Sequence, residues 1–283
     1  MIGRIHAIAA IEIRIALRNR WIITAIALMT GFGLILAFAG SAPAGTLGVD
    51  RLTVTVSSLA TLSVYLVPLI ALLLSYDAFA GEAERGTLPL LLTYPVARRE
   101  ILAGKFGAQL AVLAAAIIIG FGLTALAIWI SGGASADSLR HLFRLQWSAI
   151  VLGAAFLALG NCLSASVRQA GTAASLAIAV WLIAVVMFDV ALLGAVVADD
   201  GGMFTKLVFP WLLVISPTDA FRLFNLLAVE AGAAQGGTGG AGSGLAGATQ
   251  NLALPELAPV ISLLAWPLVL LVVSGAVFRR FEP

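Results

Sequence analysis

Residues 106–130 have the sequence FGAQLAVLAAAIIIGFGLTALAIWI, twenty-five residues without a charged side chain. A hydrocarbon core about 30 Å thick is crossed by roughly 20 apolar residues in an α-helix, so this stretch is long enough to span a membrane. The rest of the chain has the same character, since 61% of its 283 residues are hydrophobic and only 11% are charged. An average soluble domain has about 25% charged residues. The composition therefore predicts an all-α integral membrane protein and excludes a water-soluble fold.

Six apolar stretches are long enough to be spans, and they predict a single transmembrane domain over residues 1–283. The spans are approximately 21–39, 53–75, 106–130, 147–163, 173–197 and 257–278. The cytoplasmic side of a membrane protein carries an excess of Lys and Arg. With the N-terminus in the cytoplasm, eleven of the sixteen Lys and Arg residues lie on that side. Both termini are therefore expected in the cytoplasm. A cleaved signal peptide is the alternative for the first span, but the leading segment is long for one.

The segment before the first span, residues 1–20, is expected to form a helix on the cytoplasmic membrane surface. Arg14 and Arg18 are four residues apart, as on one face of a helix, although Glu12 interrupts the apolar face. Such a pattern is typical of an interfacial amphipathic helix. The alternative is a solvated basic leader that only fixes the topology.

The cytoplasmic stretch after the second span contains a short apolar helix. Thr87 is expected to cap it, Pro89 lies in its first turn, and Pro95 ends it. A second short helix with Arg98, Arg99 and Glu100 is expected to lead into the third span. An apolar helix in the cytoplasm must be covered, either by the membrane helices or by another protein. Docking to a protein is favoured because the flanking charges would supply the polar rim of an interface.

Two further connections are unusual. Residues 207–215 and 220–227 are apolar but too short to cross a bilayer, and they are joined by Ser-Pro-Thr-Asp at 216–219. This pattern predicts a re-entrant or interfacial hairpin on the non-cytoplasmic face, with a hidden seventh span as the alternative. Residues 231–248 are glycine-rich and uncharged, which is typical of a flexible loop.

Asp189 is the one acid deep inside a span, so it is expected either on a transport path or gate or in a polar contact between helices.

The sequence lacks the motifs that several functional classes require. The chain has no G-x-x-x-x-G-K-[ST] phosphate loop and no H-E-x-x-H zinc motif, so it is not expected to be an enzyme or to bind ATP. Two His, one Cys and four Met leave little material for a metal site, and none is predicted. A net charge of +2 gives no reason to expect nucleic acid as a partner. We therefore expect no cofactor bound to this chain.

Two segments resemble a known family. GEAERGTLPLLLTYPVARREILAGKF, residues 81–106, resembles the region between the second and third spans of ABC-2 type transporter permeases. ISPTDAFRLFNLL, residues 215–227, lies beyond a PWLL stretch and is similar to the six-span permeases of the transporters implicated in nitrous oxide reductase maturation. The resemblance covers essentially the whole chain. It implies an ABCG-like fold with a cytoplasmic coupling helix and a re-entrant hairpin before the last span.

The resemblance also implies partners and roles. Two copies of the permease would pair with two copies of a cytoplasmic ATPase, which binds ATP and Mg, in the bacterial inner membrane of a denitrifying cell. A periplasmic β-helix protein and a copper-chaperone lipoprotein would be further partners in copper-site assembly. The coupling helix would lie at about 86–94. The residues implied in coupling are Glu82, Glu84, Arg85, Gly86, Thr87, Leu90, Leu91, Tyr94, Arg98 and Arg99. Independently of the resemblance, the short arms and the bend of the hairpin at 209–227 predict that it does not span and forms the outer platform for a periplasmic partner, with the residues Pro217, Thr218, Asp219 and Arg222.

Three alternatives to copper-site assembly remain at this point. The chain could be an ABC-2 exporter of a hydrophobic small molecule. It could be an ion-coupled secondary transporter, although such proteins usually show internal repeats and several charges within the membrane. It could also be a structural anchor that couples an ATPase to a periplasmic machine with nothing crossing the membrane.

Overall fold

The computed structural model describes residues 2–18, 20–39, 51–132, 136–199, 202–225 and 257–281. The predicted glycine-rich loop at 231–248 lies outside these residues. Helices account for nearly all of the described chain. They are α1 (Ile2–Arg18), α2 (Arg20–Ala39), α3 (Arg51–Ser75), α4 (Ala80–Glu84), α5 (Thr87–Thr93), α6 (Arg98–Ile130), α7 (Ala136–Ser164), α8 (Ala170–Asp199), α9 (Phe204–Ile215), α10 (Pro217–Asn225) and α11 (Ala258–Arg280).

Five described helices are long and apolar enough to cross a membrane, which agrees with the predicted all-α membrane fold. The first is Leu52–Glu84, which comprises α3 from its second residue and continues through α4, and the others correspond to α6, α7, α8 and α11. The pair α9 and α10 is bent by 99°, as in a re-entrant loop or a broken span, and would be a sixth. The apolar part of α2, Ile23–Phe38, is shorter than the five, so its crossing remains a prediction.

Helix α7 lies at the centre of the bundle. It packs against α3, α6 and α11, and 67% of its most apolar window is buried, compared with 17% for α8 and 11% for α11. Close packing with α3 depends on Gly160, because a Cβ there would lie 1.9 Å from the Ser75 hydroxyl oxygen. Small residues allow membrane helices to approach in this way. Helices α8 and α11 consequently leave apolar faces uncovered by the described chain.

Both ends of the chain meet at one end of the bundle. Helix α1 packs against the start of α6, where a Cβ on Gly104 would lie 2.7 Å from the Ile8 side chain. The end of α11 also reaches the start of α6, since Arg98 donates a hydrogen bond to the Phe278 carbonyl. Helices α4 and α5 lie at the same place. We call this region, formed by α1, α4, α5, the first two turns of α6 and the end of α11, the charged end.

The structure corrects two details of the predicted cytoplasmic stretch. Arg98, Arg99 and Glu100 do not form a separate short helix, because α6 runs without a break from Arg98 to Ile130. The Glu100 carboxylate accepts a hydrogen bond from the Ala97 backbone N–H at 3.1 Å, which stabilises the start of the long helix.

Thr87 is not the cap of α5. That position belongs to Gly86, whose φ of 72° lies in the left-handed region that favours glycine. The Thr87 hydroxyl instead donates to the Glu82 carbonyl at 3.2 Å, so it ties α5 back to α4. The fourth predicted span, 147–163, is also part of a longer helix that begins at Ala136.

Candidate coupling site and polar contacts between the helices

Helix α5 has one anchored side and one free side. Leu88 is fully buried in an apolar cluster with Phe79, Ile101 and Phe278, and Phe79 and Phe278 have ring centroids 4.3 Å apart. On the other side the side chain of Leu90 is 64% exposed. Because Leu88 anchors the opposite side of α5, the exposed Leu90 can enter a groove of another protein without rearrangement of its own chain.

The remaining apolar residues of this region divide in the same way. Tyr94 is 65% exposed, whereas Leu91 is half-buried against the apolar cluster. The structure thus distinguishes the two leucines predicted to face a partner, since Leu90 points away from the bundle and Leu91 lies mostly against it. Gly86 and Thr87 are exposed at the start of the helix. Leu90 and Tyr94 therefore form the apolar part of the free surface.

Charged residues surround this apolar surface. Glu84, Arg85 and Arg99 are exposed. The Arg85 guanidinium pairs with Asp77 at 3.1 Å, and the Glu84 carboxylate accepts a hydrogen bond at 2.8 Å from the Ala170 N–H, the first of α8. A carboxylate at a helix N-terminus is favourable because it satisfies a free N–H group. Three of the charged residues expected to form a polar rim are thus exposed, and one of them, Glu84, also holds α8; the rim of an interface stays a prediction.

Arg98, predicted as a coupling residue, contacts the last helix. Its guanidinium donates hydrogen bonds to the carbonyl oxygens of Phe278 at 2.7 Å and of Phe281 at 2.6 Å, and it lies 5.6 Å from the centre of the Phe278 ring. The last carbonyl groups of a helix have no partner within the helix, and a cation near them is favourable. Arg98 therefore fixes the end of α11 to the start of α6.

Lys105 forms the most buried ionic contact of the charged end. Its side chain is 3% exposed, and its ammonium donates to Glu12 at 2.5 Å and to Glu82 at 2.6 Å. One lysine thereby joins α1, α4 and α6. The sequence predicts Lys105 only as one of the positive charges on the cytoplasmic side. Two signals could have indicated the contact, namely a lysine inside an apolar helix and Glu12 on the apolar face of α1.

The start of α4 is held by a polar contact from α7. The Ser164 hydroxyl accepts hydrogen bonds at 3.0 Å from the N–H groups of Phe79 and Ala80 and donates to the Tyr76 carbonyl at 2.6 Å. Nearby, the Asn161 amide donates to the Gln109 side chain at 2.7 Å. These buried side chains connect helices, as expected for polar residues at helix interfaces in membranes.

A second ionic cluster joins three helices away from the charged end. The Arg222 guanidinium donates to Asp189 at 2.8 Å and to Asp219 at 3.1 Å, and the Tyr65 hydroxyl donates to Asp189 at 3.0 Å. The sequence gives no sign that Asp189 and Arg222 are partners. The structure brings them together, so Asp189 makes a polar contact between α3, α8 and α10. A role on a transport path or gate remains a prediction.

The residues predicted to form a periplasmic platform lie mainly inside the molecule. Thr218 and Asp219 are each 1% exposed, and the Thr218 hydroxyl is 2.8 Å from that of Ser216. Thr218 and Asp219 lie at the start of α10, on the side that faces the bundle. Polar groups there form hydrogen bonds with neighbouring residues at the bend. The exposed large residues of the bent pair are different ones, including Trp211 and Ile215. A platform on this face, if formed, would present those residues.

The bent pair is fixed to the bundle at both arms. The Arg144 guanidinium on α7 donates to the Phe224 carbonyl at 2.6 Å and lies 3.8 Å from the centre of the Phe224 ring. The Trp266 indole on α11 donates to the Ile215 carbonyl at 2.7 Å. Neither residue was singled out from the sequence, because both contacts reach backbone carbonyls on distant segments.

No metal centre is evident in the part of the chain that the structure describes, where no group of three or more His, Cys, Asp and Glu residues could hold an ion. Cys162 is a free thiol. Several charged side chains instead connect helices, among them Arg98, Lys105 and Arg222, and others, such as Glu84, Arg85 and Arg99, are exposed at the charged end.

Comparison with known proteins identifies the family. The model of the ABC-2 family transporter proteins matches residues 6–282. A protein of Stutzerimonas stutzeri described as a probable ABC transporter permease protein NosY is 41% identical over 280 residues, which cover 98% of this chain and 99% of that protein. A protein of Pseudomonas aeruginosa with the same description is 38% identical over 278 residues, 98% of both chains. This chain therefore belongs to the ABC-2 family and is a NosY-like permease subunit of an ABC transporter.

Proposed function

We propose that this chain is the permease of the transporter that supports copper-site assembly in nitrous oxide reductase. The observation that carries the proposal is the full-length similarity to two permeases called NosY, 41% and 38% identical from end to end. Two copies of this chain would pair with two copies of a NosF-like cytoplasmic ATPase, which binds ATP and Mg. A NosD-like β-helix protein would bind the opposite face, and a NosL-like lipoprotein would deliver copper there.

Helix α5 would be the element that receives movement from the ATPase. The exposed Leu90 and Tyr94 would enter a groove on the ATPase, and the surrounding Glu84, Arg85 and Arg99 would form polar contacts around it. In this arrangement the charged end faces the cytoplasm, which agrees with the excess of positive charge predicted there. Both termini would then lie in the cytoplasm of a cell with this chain in its inner membrane.

Movement of α5 would pass to the spans through the buried contacts beneath it. Leu88 packs beside Ile101 of α6, and Lys105 joins α6 to α1 and α4. Packed interfaces of this kind transmit displacement because protein interiors are dense. The chain would act by changing shape, with copper ligands supplied by its partners.

Leu90→Asp tests docking, and Leu257→Asp is a matched control. Leu257 is 66% exposed, like Leu90, but lies at the other end of α11 from the charged end. A carboxylate buried in an ATPase groove without a partner should cost about 3 kcal/mol or more, roughly a hundredfold in affinity. We expect the ATPase to be lost from purified complexes of Leu90→Asp and retained with Leu257→Asp. Equal recovery of the ATPase with both variants would contradict docking through α5.

Deletion of the gene in its native host tests the proposed role in copper-site assembly. Nitrous oxide reductase should then lack copper by metal analysis, and its activity should return with the wild-type chain or Leu257→Asp but not with Leu90→Asp. A reductase with normal copper in the deletion strain would refute the copper-assembly role. Hypersensitivity of that strain to apolar compounds would instead indicate an exporter of hydrophobic molecules.

A further inference from the structure

An apolar cavity of about 240 Å³ lies between α2, α3 and α6. Its apolar lining includes Ala25, Leu28, Leu66, Ile70, Leu113 and Ala116. Most of its lining residues lie in stretches predicted to cross the bilayer, and Tyr76 and Asp77 line its polar end, just beyond the predicted span 53–75. The apolar part of such a cavity favours an apolar ligand, such as a lipid chain.

The cavity continues into a polar pocket of about 200 Å³ at the charged end. The two share Leu74, Asp77 and Val112 as lining residues, so they meet at one place. The polar pocket is lined by three carboxylates and two cations, a formal charge of −1 among the described residues. These are Glu12, Asp77, Glu82, Arg85 and Lys105.

One carboxylate oxygen in the polar pocket has no hydrogen-bond partner among the described residues. Lys105 binds Oε1 of Glu82, while Oε2 is buried and accepts no hydrogen bond from the described residues. A buried acceptor of this kind is costly unless a donor reaches it. The excess negative charge favours a donor that is positively charged, such as an ammonium group.

A phosphate could bind beside that ammonium group. The Arg85–Asp77 pair is half-exposed on both sides, with side chains 56% and 41% accessible, and exposed pairs contribute little stability. Arg85 could therefore leave Asp77 for a phosphate while Asp77 accepts from the ammonium. An apolar chain, a phosphate and a primary amine are combined in one class of molecule, the aminophospholipids.

We propose that the cavity and the polar pocket together bind a phospholipid with a primary amine in its head group, such as phosphatidylethanolamine. One acyl chain lies between α2, α3 and α6, and the ammonium group donates to Glu82 and Asp77. The lipid contacts α1, α3, α4 and α6 at once and fills the space beside the Lys105 contact. This inference goes beyond the transporter's role in copper-site assembly and does not depend on it.

Photo-crosslinking in nanodiscs tests the site. The full-length permease with its ATPase is placed in equal amounts of phosphatidylethanolamine and phosphatidylglycerol, with a trace of either lipid bearing a diazirine on its acyl chain. Labelled peptides are mapped by mass spectrometry, and the exposed face of α8 serves as an internal reference for non-specific lipid contact. Loss of an ionic hydrogen bond corresponds to about tenfold in affinity, so we expect the amine lipid to label the cavity about tenfold more than the glycerol lipid.

Two variants test recognition of the lipid head group and binding of its acyl chain separately. In Glu82→Gln, the ratio of cavity labelling by the amine lipid to labelling by the glycerol lipid should fall towards 1:1, while the cavity is still labelled. Ala25→Phe should fill the cavity and abolish its labelling, whereas Ala179→Phe on the exposed face of α8 should leave it unchanged. Equal labelling by both lipids in the wild-type chain would overturn the proposal. So would cavity labelling that matches the α8 reference or survives Ala25→Phe.

Discussion

Replacement of Lys105 by methionine should detach α1 and α4 from α6. Methionine has nearly the length of lysine but no charge, so it would leave Glu12 and Glu82 facing each other without a cation. Removal of one partner from a buried ion pair costs about 3–5 kcal/mol. The two carboxylates are 28% and 22% exposed, so water would partly solvate them, and we expect a loss near the lower limit, about 3 kcal/mol.

The matched control is Arg85→Met. Its pair with Asp77 is half-exposed, so its loss should cost about 0–1 kcal/mol. A triple variant with Lys105→Met, Glu12→Gln and Glu82→Gln removes every charge of the buried contact, and it should recover most of the lost stability because no unpaired ion remains. This recovery would distinguish an electrostatic cause from a simple packing defect.

Two measurements report on the Lys105 variants. Thermal unfolding of the purified complex in detergent gives the stability, and the rate of maleimide reaction at Ile8→Cys, in a Cys162→Ala background, reports on detachment of α1. Ile8 packs against Gly104, so its reaction should accelerate when α1 leaves α6. If Lys105→Met is no more destabilising than Arg85→Met, the ionic contact does not hold the charged end together and the reasoning is wrong.

Two further substitutions test the packing and the second ionic cluster. Gly104→Ala places a methyl group 2.7 Å from the Ile8 side chain and should cost about 1–3 kcal/mol in thermal unfolding, while Gly107→Ala, which meets no atom within 4 Å, should not destabilise; equal melting temperatures would contradict the close approach of α1. Arg222→Met leaves two carboxylates without their cation and should cost about 3–5 kcal/mol. Arg140→Met, which removes an exposed pair, should have little effect, and similar losses for both would argue against a buried cluster.

The membrane fold was predictable because its signal is local. A run of apolar residues identifies a spanning helix whatever lies next to it, and a Ser-Pro-Thr-Asp sequence identifies a bend. The exact starts of the helices were less predictable. Helix α6 begins at Arg98 because Glu100 and Lys105 are both satisfied by hydrogen bonds, which allows charged residues to remain helical at the membrane.

Contacts between helices were not predictable in the same way. Glu12 and Lys105 are 93 residues apart, and apolar periodicity does not give the rotation or the depth of one membrane helix relative to another. The same limit explains Asp189, which was identified as a costly residue without its partner Arg222. Thr218 was expected at a surface because the hairpin was predicted to form a platform on the non-cytoplasmic face, yet Thr218 is buried at the bend.

The first two turns of α6 connect α5 with three other helices of the charged end. Ile101 packs beside the anchored Leu88, Arg98 holds the end of α11, and Lys105 holds α1 and α4. Helix α6 is unbroken over its 33 residues, so a tilt at its start is carried along its whole length. Helix α8 has a weaker connection to the charged end, because Glu84 touches only its first N–H group and a π-helical segment at Leu182–Met187 interrupts its α-helical geometry. A displacement received by α5 should therefore move α1, α6 and α11 as one unit, and it should reach α8 through α3 and α7, which pack against it, with Tyr65 of α3 hydrogen-bonded to both Trp181 and Asp189.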